Sequence, residues 1–152
     1  MDKWDESANH RVRKGTRATM LQRLNPASVS PPFSRYSHAV AAPQGYRWLH
    51  ISGQVGADRD RKIANGFEAQ AELAWSNLIA CIKAAGFAVQ DLVKVTILLT
   101  RASDIAASRQ VRDRMLGSVE PASTMMIVAG LAAPDLLIEV DGIAARPAEA
   151  AA

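Results

Sequence analysis

The sequence predicts an α+β domain in which two helices cover one face of a mixed β-sheet. Two segments repeat apolar residues at helical spacing, and apolar runs of strand length precede, separate and follow them. The resulting order of elements is β-β-α-β-α-β-β. A chain of 152 residues, 49% of them hydrophobic, is long enough to bury a real core as one domain. We place this single domain at residues 20–146.

The N-terminal segment, residues 1–19, is predicted to be a disordered basic extension. It lacks sustained periodicity, and its five basic and three acidic residues supply +2 of the net charge of +3. The remaining sequence is therefore nearly neutral, which argues against nucleic acid as a partner of the folded domain. Met20 is a second candidate for the start of translation. Residues 147–152 are predicted to be a frayed, alanine-rich tail.

The composition predicts a cytoplasmic protein with no membrane partner. No apolar run approaches the length of a membrane span, and the N-terminus lacks the hydrophobic core of a signal peptide. Cys81, the single cysteine, cannot form an internal disulfide, which fits a reducing compartment. Its position within a helical pattern predicts a packed thiol rather than a nucleophile.

Two strands, residues 36–42 and 46–52, are predicted to open the domain as a hairpin. They flank a three-residue turn centred on Gln44, whose last residue is a glycine suited to a left-handed conformation. This register places His38 opposite His50, although a slip of one residue would move one strand's side chains to the other face. A histidine pair is a partial metal site, but no further ligand stands at a recognisable spacing, so no metal is predicted.

The first helix is predicted between Asn65 and Gly86. Asn65 and Glu68 have the spacing of a capping box, and Gly86 supplies a helix stop. One apolar stripe recurs between them at steps of three and four, formed by Phe67, Ala71, Ala74, Trp75, Leu78, Ile82 and Ala85. The strand that follows, residues 93–99, is apolar throughout its second half, as expected of a strand covered on both faces.

The second helix is predicted to begin at Ser103, which can cap it, and to end at Gly117. Its inner face is formed by Ile105, Val111, Met115 and Leu116. Arg109, Arg112 and Arg114 fall mostly on the other side of the helix. We predict a solvated face for these three arginines.

Two apolar runs, residues 121–131 and 136–141, are predicted to be the final pair of adjacent strands, joined by a short loop that contains a Pro-Asp pair. Glu139 and Asp141 stand two apart in the second run, so their carboxylates share one face of the strand. A carboxylate among leucine, isoleucine and valine is costly unless it is paired or exposed. Glu139 and Asp141 therefore mark a candidate functional surface.

The predicted sheet has one face that no element of this chain covers, because both helices lie on the other face. The apolar side chains of Leu98, Ile127 and Leu137 would not all fit the helix side. We therefore expect part of the open face to pack against another subunit in a closed homo-oligomer.

Several blocks of the sequence, in order, resemble the RidA (YjgF) family of reactive-intermediate deaminases, also labelled endoribonuclease L-PSP. They are Ser52-Gly53-Gln54-Val55, Gln70 to Leu78, Ala85-Gly86, Asp91 to Thr96, Leu99-Thr100, Pro121-Ala122 and Ile138-Glu139-Val140. The resemblance implies a chorismate-mutase-like α+β fold that assembles as a homotrimer. In that assembly the sheets form a central barrel, and the ligand clefts lie between subunits.

The resemblance also implies a chemistry and a set of residues. Active members hydrolyse enamines and imines such as 2-aminoacrylate without metal or cofactor, and their Pro-Ala-Arg signature grips the substrate carboxylate. Here the third residue is Ser123, so this chain resembles the subgroups that lack the arginine. Glu139 matches the glutamate that directs water, whereas Tyr36, Ser52 and Gly53 match residues of the cleft.

One helix position that is often a cleft asparagine in the family is Arg109 here, and we hypothesise that it partly replaces the missing guanidinium. A surface role for Arg109 is the alternative.

Three functions remain open at this point. The first is hydrolysis of an imine, an enamine or a related small metabolite, with altered specificity because of Ser123. The second is a non-catalytic trimeric protein that binds a small carboxylate- or imine-containing ligand on the same fold. The third, RNA cleavage or translation inhibition, ranks lowest because a ribonuclease needs a basic groove and an acid–base pair.

Overall fold

A four-stranded mixed sheet carries the domain in the computed structural model, which describes residues 20–148. The strands of the chain are β1 (Gln22–Leu24), β2 (Ala39–Ala41), β3 (Tyr46–Val55), β4 (Leu92–Leu99), β5 (Ala122–Ile127) and β6 (Ile138–Pro147), and the helices are α1 (Phe67–Ala84) and α2 (Ile105–Leu116). The predicted disorder of residues 1–19 lies outside the described range, as does most of the predicted tail. The last strand ends at Pro147.

The strand order of the main sheet is β3-β6-β4-β5. Strand β6 runs antiparallel to both β3 and β4, whereas β4 and β5 are parallel. The parallel pair is connected through α2, since antiparallel neighbours alone can be joined by a tight turn. The α+β class, the mixed sheet and the two helices are as the sequence predicts.

Both predicted hairpins are wrong. Strand β2 pairs with β1 in a separate two-stranded sheet, and β3 pairs with β6 instead. A ten-residue strand such as β3 forms more ladder hydrogen bonds with the equally long β6 than with the three residues of β2. Strands β5 and β6 are likewise not neighbours, because β4 lies between them.

The predicted histidine pair is lost with the first hairpin. His50 lies opposite Ile143 on β6. The imidazole Nε2 of His38 is 2.8 Å from the carbonyl oxygen of Ser30, and its backbone N–H donates to Asn25.

The core lies between the helices and one face of the sheet. Trp75, Leu78 and Ile82 of α1 are fully buried, as predicted, together with Val95 and Ile97 of β4. The residues of β6 alternate in burial, so that Ile138, Val140 and Ala144 face the helices, whereas Glu139 and Asp141 face away. This alternation fixes the side of the sheet on which each functional side chain lies.

The helix ends differ from the predicted caps. Gly66 precedes α1 with a φ of 82°, and no side chain caps the first turn, so the predicted box of Asn65 and Glu68 is not formed. Residues 102–104 form a short 3₁₀ turn before α2, which replaces the predicted cap at Ser103. Gly117 ends α2 with a φ of 60°, as the sequence predicts.

Candidate functional site

Glu139 lies on the face of the sheet that the helices do not cover, above a break in the β3–β6 ladder. The pairing of the two strands shifts register between Ile51 and Gln54, where Ser52 and Gly53 stand. The carboxylate of Glu139 occupies the space beside Gly53 so closely that a Cβ at residue 53 would lie 1.7 Å from its Oε1 atom. The register shift and the absence of a side chain at residue 53 together create the space that this carboxylate occupies.

The Glu139 carboxylate is available for chemistry. The side chain is partly buried, and it makes no hydrogen bond or ion pair with residues 20–148. Its neighbours in the sheet are Leu98 of β4 and Val55 of β3. A carboxylate in this setting can accept a proton from a water or bind a cationic group.

A lysine and a second acid stand on the same open face. Asp141 lies opposite Thr96 on β4, two residues from Lys94. Burial lowers the pKa of Lys94, and the Asp141 carboxylate offsets part of this shift. The ammonium of Lys94 donates a short hydrogen bond to the hydroxyl of Thr124 on β5. The open face therefore combines polar groups at its centre with exposed apolar groups elsewhere.

Ser123 lies on the opposite face of the sheet from Glu139. The parallel register of β4 and β5 places Ser123 beside Val95, which is fully buried on the helix side. There a pocket of about 170 Å³ opens between α2, β5 and the segment before β2. Its lining consists of Phe33, Ser34, Tyr36, Arg109, Arg112, Ser123 and Met125.

The segment that carries Tyr36 is fastened to the start of β5. The backbone N–H of Ser37 donates to the carbonyl of Pro121 over 3.2 Å, and its hydroxyl donates to the carbonyl of Glu120 over 2.8 Å. The ring of Tyr36 meets that of His38 edge to face, with centroids 5.7 Å apart. Tyr36 is thus held at the pocket by a buried residue, Ser37.

The predicted site residues therefore form two groups on one chain. Tyr36, Arg109 and Ser123 share the pocket on the helix side. Ser52, Gly53 and Glu139 lie together at the ladder break on the other side. The fold does not bring the two groups into one cleft within a single chain.

Arg112 is a pocket residue that the sequence prediction placed wrongly on a solvated face. It is only 3% exposed, whereas Arg109 and Arg114 are exposed as predicted. Its Nε and Nη2 atoms both donate to Oδ1 of Asp113, over 2.9 and 2.7 Å. The spacing from Ile105 through the buried Ser108 to Arg112 follows one helical face, and this pattern could have identified Arg112 as inward-facing.

A larger cavity of about 510 Å³ lies away from both groups, near the start of α1. Gln70 lies in its wall and is nearly fully buried. Its amide nitrogen donates to the carbonyls of Ala64 and Asp135, and its amide oxygen accepts from the N–H of Leu137. Because these polar atoms are occupied by backbone partners, we assign Gln70 a structural role.

Among residues 20–148, no three His, Cys, Asp or Glu side chains are grouped as the ligands of a metal ion would be. Neither α1 nor α2, the two helices of more than one turn in this range, is long and apolar enough to span a bilayer.

Comparison with known proteins connects this arrangement to one family. The sequence profile described as endoribonuclease L-PSP matches residues 27–146. The RutC family protein UK114 of Drosophila melanogaster is 32% identical over 130 residues, covering 84% of this chain and 91% of its own. The 2-iminobutanoate/2-iminopropanoate deaminase of Capra hircus is 33% identical over 108 residues, which cover 70% of this chain and 74% of the goat protein.

The solved structures show the same fold. A Rid-family protein of unknown function from Yersinia pestis, YyfB, superimposes with a TM-score of 0.73 at 30% identity. The match covers 82% of this chain and 97% of the Yersinia chain.

Proposed function

The chain belongs to the endoribonuclease L-PSP family, the RidA/YjgF family that its motifs resemble, and from this premise we propose that it hydrolyses the C=N bond of a small imine, including an imine formed by tautomerisation of the corresponding enamine. The name of the goat relative, a 2-iminobutanoate/2-iminopropanoate deaminase, supports this reaction class. The observation that carries the proposal is the carboxylate of Glu139. It lies against Gly53 and makes no hydrogen bond or ion pair with the described residues.

Glu139 is the general base in the proposed reaction. It takes a proton from a water molecule while the water oxygen attacks the imine carbon, which gives a tetrahedral carbinolamine. Glu139 returns this proton to the nitrogen, which completes the neutral carbinolamine. The hydroxyl proton then moves, by way of the Glu139 carboxylate, to the nitrogen as the C–N bond breaks, so the products are a carbonyl compound and ammonia. The reaction consumes one water and needs no redox partner, so the proposal requires no cofactor.

The remaining predicted residues bind the substrate. The hydroxyls of Tyr36 and Ser123 line the pocket as hydrogen-bond donors, and the backbone at Ser52 and Gly53 closes the cleft next to Glu139. We propose a small carboxylate- or imine-containing metabolite as the ligand. A pocket of about 170 Å³ is smaller than the usual ligand site, which fits one half of a larger cleft.

A homotrimer would complete that cleft. The open sheet face exposes Trp48 by 51% and Met126 by 45%, and such a surface favours burial against another subunit. In a head-to-tail ring, the pocket side of one subunit can meet the Glu139 side of the next. We also propose that the protein acts in the cytoplasm, where its single free cysteine would remain reduced.

Ser123 shifts the proposed substrate preference. A serine hydroxyl forms a neutral hydrogen bond, and the loss of a charge-assisted bond to a carboxylate costs about 1.5–3 kcal/mol. This cost corresponds to a rate about tenfold to a few hundredfold lower on the usual carboxylate imines. Arg109, exposed at the same pocket, is proposed to recover part of that affinity.

The test is the hydrolysis rate of freshly generated 2-iminobutanoate and 2-iminopropanoate. We expect Glu139→Gln to lower kcat about 10²- to 10⁴-fold, as for loss of a general base. Ser123→Arg is expected to raise kcat/KM about tenfold or more, because it restores the guanidinium. Glu68→Gln, an exposed glutamate on α1, is the matched control and should retain wild-type rates.

Full activity in Glu139→Gln would exclude Glu139 as the base. If neither wild type nor Ser123→Arg hydrolyses the imines while both bind the product 2-oxobutanoate, the protein is a small-molecule binding protein on the same fold. The replacement of the family arginine by Ser123 is the observation that favours this second function.

A further inference from the structure

Arg112 is the most deeply buried charged side chain at the pocket that holds Ser123 and Tyr36. Its side chain is 4% exposed, and it approaches the pocket from α2 rather than from β5. Burial of a guanidinium is costly unless its charge and its five N–H groups find partners. The donors of Arg112 that have no partner within residues 20–148 therefore indicate which chemical group the pocket can bind.

Asp113 satisfies only part of this guanidinium. Two donor atoms, Nε and Nη2, converge on a single oxygen of Asp113, which is itself 31% exposed. The third nitrogen, Nη1, makes no hydrogen bond with the described part of the chain. The ion pair fixes the orientation of the guanidinium and leaves donor capacity for another acceptor.

The pocket lining offers no acidic residue of its own. It contains two arginines and the hydroxyl groups of Ser34, Tyr36 and Ser123, with apolar side chains from Phe33 and Met125. Arg109 stands exposed, where water screens its charge. Arg112 is almost fully buried and is oriented by its ion pair with Asp113, so its attraction for an anion is screened much less.

We propose that Arg112 is the specificity-determining residue of this pocket and that it holds the carboxylate of a short 2-imino or 2-oxo acid in place of the arginine missing at residue 123. Ser123 adds a neutral hydrogen bond, and Arg109 attracts the anion from solvent. This proposal rests on the pocket being the ligand site of the proposed function, but it concerns ligand binding and not the catalytic step.

The experiment measures equilibrium binding of 2-oxobutanoate and of its uncharged methyl ester by calorimetry. The wild type is expected to prefer the acid. Arg112→Met should weaken binding of the acid about 10- to 100-fold and leave binding of the ester within about twofold. Arg112→Lys retains the charge but not the planar guanidinium. Its affinity for the acid should therefore fall between that of the wild type and that of Arg112→Met.

Arg114→Met is the matched control, since Arg114 is an exposed arginine on the same helix. Thermal melting of each variant, together with binding of the ester, separates loss of the carboxylate contact from loss of the folded pocket. If Arg112→Met is unfolded, Arg112→Lys and the acid-to-ester ratio of the wild type decide the question.

Equal affinity of the wild type for acid and ester, or an unchanged acid affinity in the Arg112 variants, would overturn the proposal. Binding of the acid that depends on Arg112 in a protein with no imine hydrolysis would support Arg112 and reject the catalytic function. Hydrolysis that depends on Glu139 but is indifferent to Arg112 would do the reverse.

Discussion

Two glycines of one strand region illustrate how a single missing side chain can serve either chemistry or packing. At Gly53 a Cβ atom would meet the carboxylate of Glu139, which is the free end of a flexible side chain. At Gly56 it would lie 2.4 Å from both Cα and Cβ of Gln70, part of the fixed frame of α1. An alanine should therefore impair activity at residue 53 and stability at residue 56.

We predict that Gly53→Ala keeps the fold and loses activity. The new methyl group displaces the Glu139 carboxylate, and a misplacement of about 1 Å can cost on the order of 10²-fold in rate. Gly56→Ala should instead lower the free energy of unfolding by about 2 kcal/mol or more, because the backbone of α1 cannot give way. Urea denaturation and the imine assay on both variants check the pair. An active Gly53→Ala protein would show that activity does not depend on the position of the Glu139 carboxylate beside Gly53.

The residue types of the candidate site could be predicted from sequence, but their sides of the sheet could not. The spacing of Glu139 and Asp141 fixes that they share a face, since strand side chains alternate. Whether Ser123 shares that face depends on the pairing of β5 with β4, which is a tertiary property. The sequence prediction missed Arg112 because it assigned the neighbouring residue, Val111, to the inner face of α2.

At the scale of elements, short-range signals located the helices and strands well and paired the strands poorly. The helical stripe through Trp75 and Leu78 is a local pattern, and the structure buries it as predicted. Strand pairing depends on which strands bury the most surface and complete the most ladder hydrogen bonds, and adjacent runs need not be partners. Strand β6 takes the position between β3 and β4, and it thereby carries Glu139 between the ladder break of β3 and the centre of the sheet.

Gln70 connects α1 to the loop that leads into β6. Its side chain makes hydrogen bonds of 3.1 and 2.9 Å to the carbonyls of Ala64 and Asp135, and it accepts one of 2.9 Å from the N–H of Leu137. Leu137 is two residues before Glu139. The amide therefore holds the start of the strand on which the proposed base stands.

We predict that Gln70→Leu lowers the free energy of unfolding by about 2–4 kcal/mol, because a similar side-chain volume is kept while three backbone groups lose their partner. Ser76→Ala, at an exposed position on the same helix, should change it by less than about 0.5 kcal/mol. Urea titration of both variants provides the measurement. A Gln70→Leu protein as stable as wild type would show that water replaces the amide in these contacts.

At the scale of the whole molecule, the separation of the two residue groups is the reason for proposing a second subunit. One chain places Ser123 and Tyr36 on the helix side and Glu139 on the open side, and no loop in the described range brings them together. Both groups can serve one reaction if a ring of identical chains apposes unlike surfaces. The exposed Trp48 and Met126 provide apolar surface for such contacts.

Mixed oligomers test this arrangement directly. Glu139→Gln removes the base from the group on the open side of the sheet. Ser123→Glu places a carboxylate in the pocket on the helix side, where the carboxylate of the ligand would bind. Each variant alone should be inactive. When equal amounts are unfolded together and refolded, random trimers should recover about a quarter of wild-type activity, because that share of clefts draws both intact groups from different chains.

The control for that experiment is each variant refolded alone, with its mass in solution measured by light scattering. Recovery on mixing can arise only if each cleft uses residues of two chains, since every chain in the mixture carries one defect. An inactive mixture of correctly assembled trimers would instead mean that the two groups do not act at one cleft. Ser123 and its pocket would then have to bind a ligand independently of Glu139.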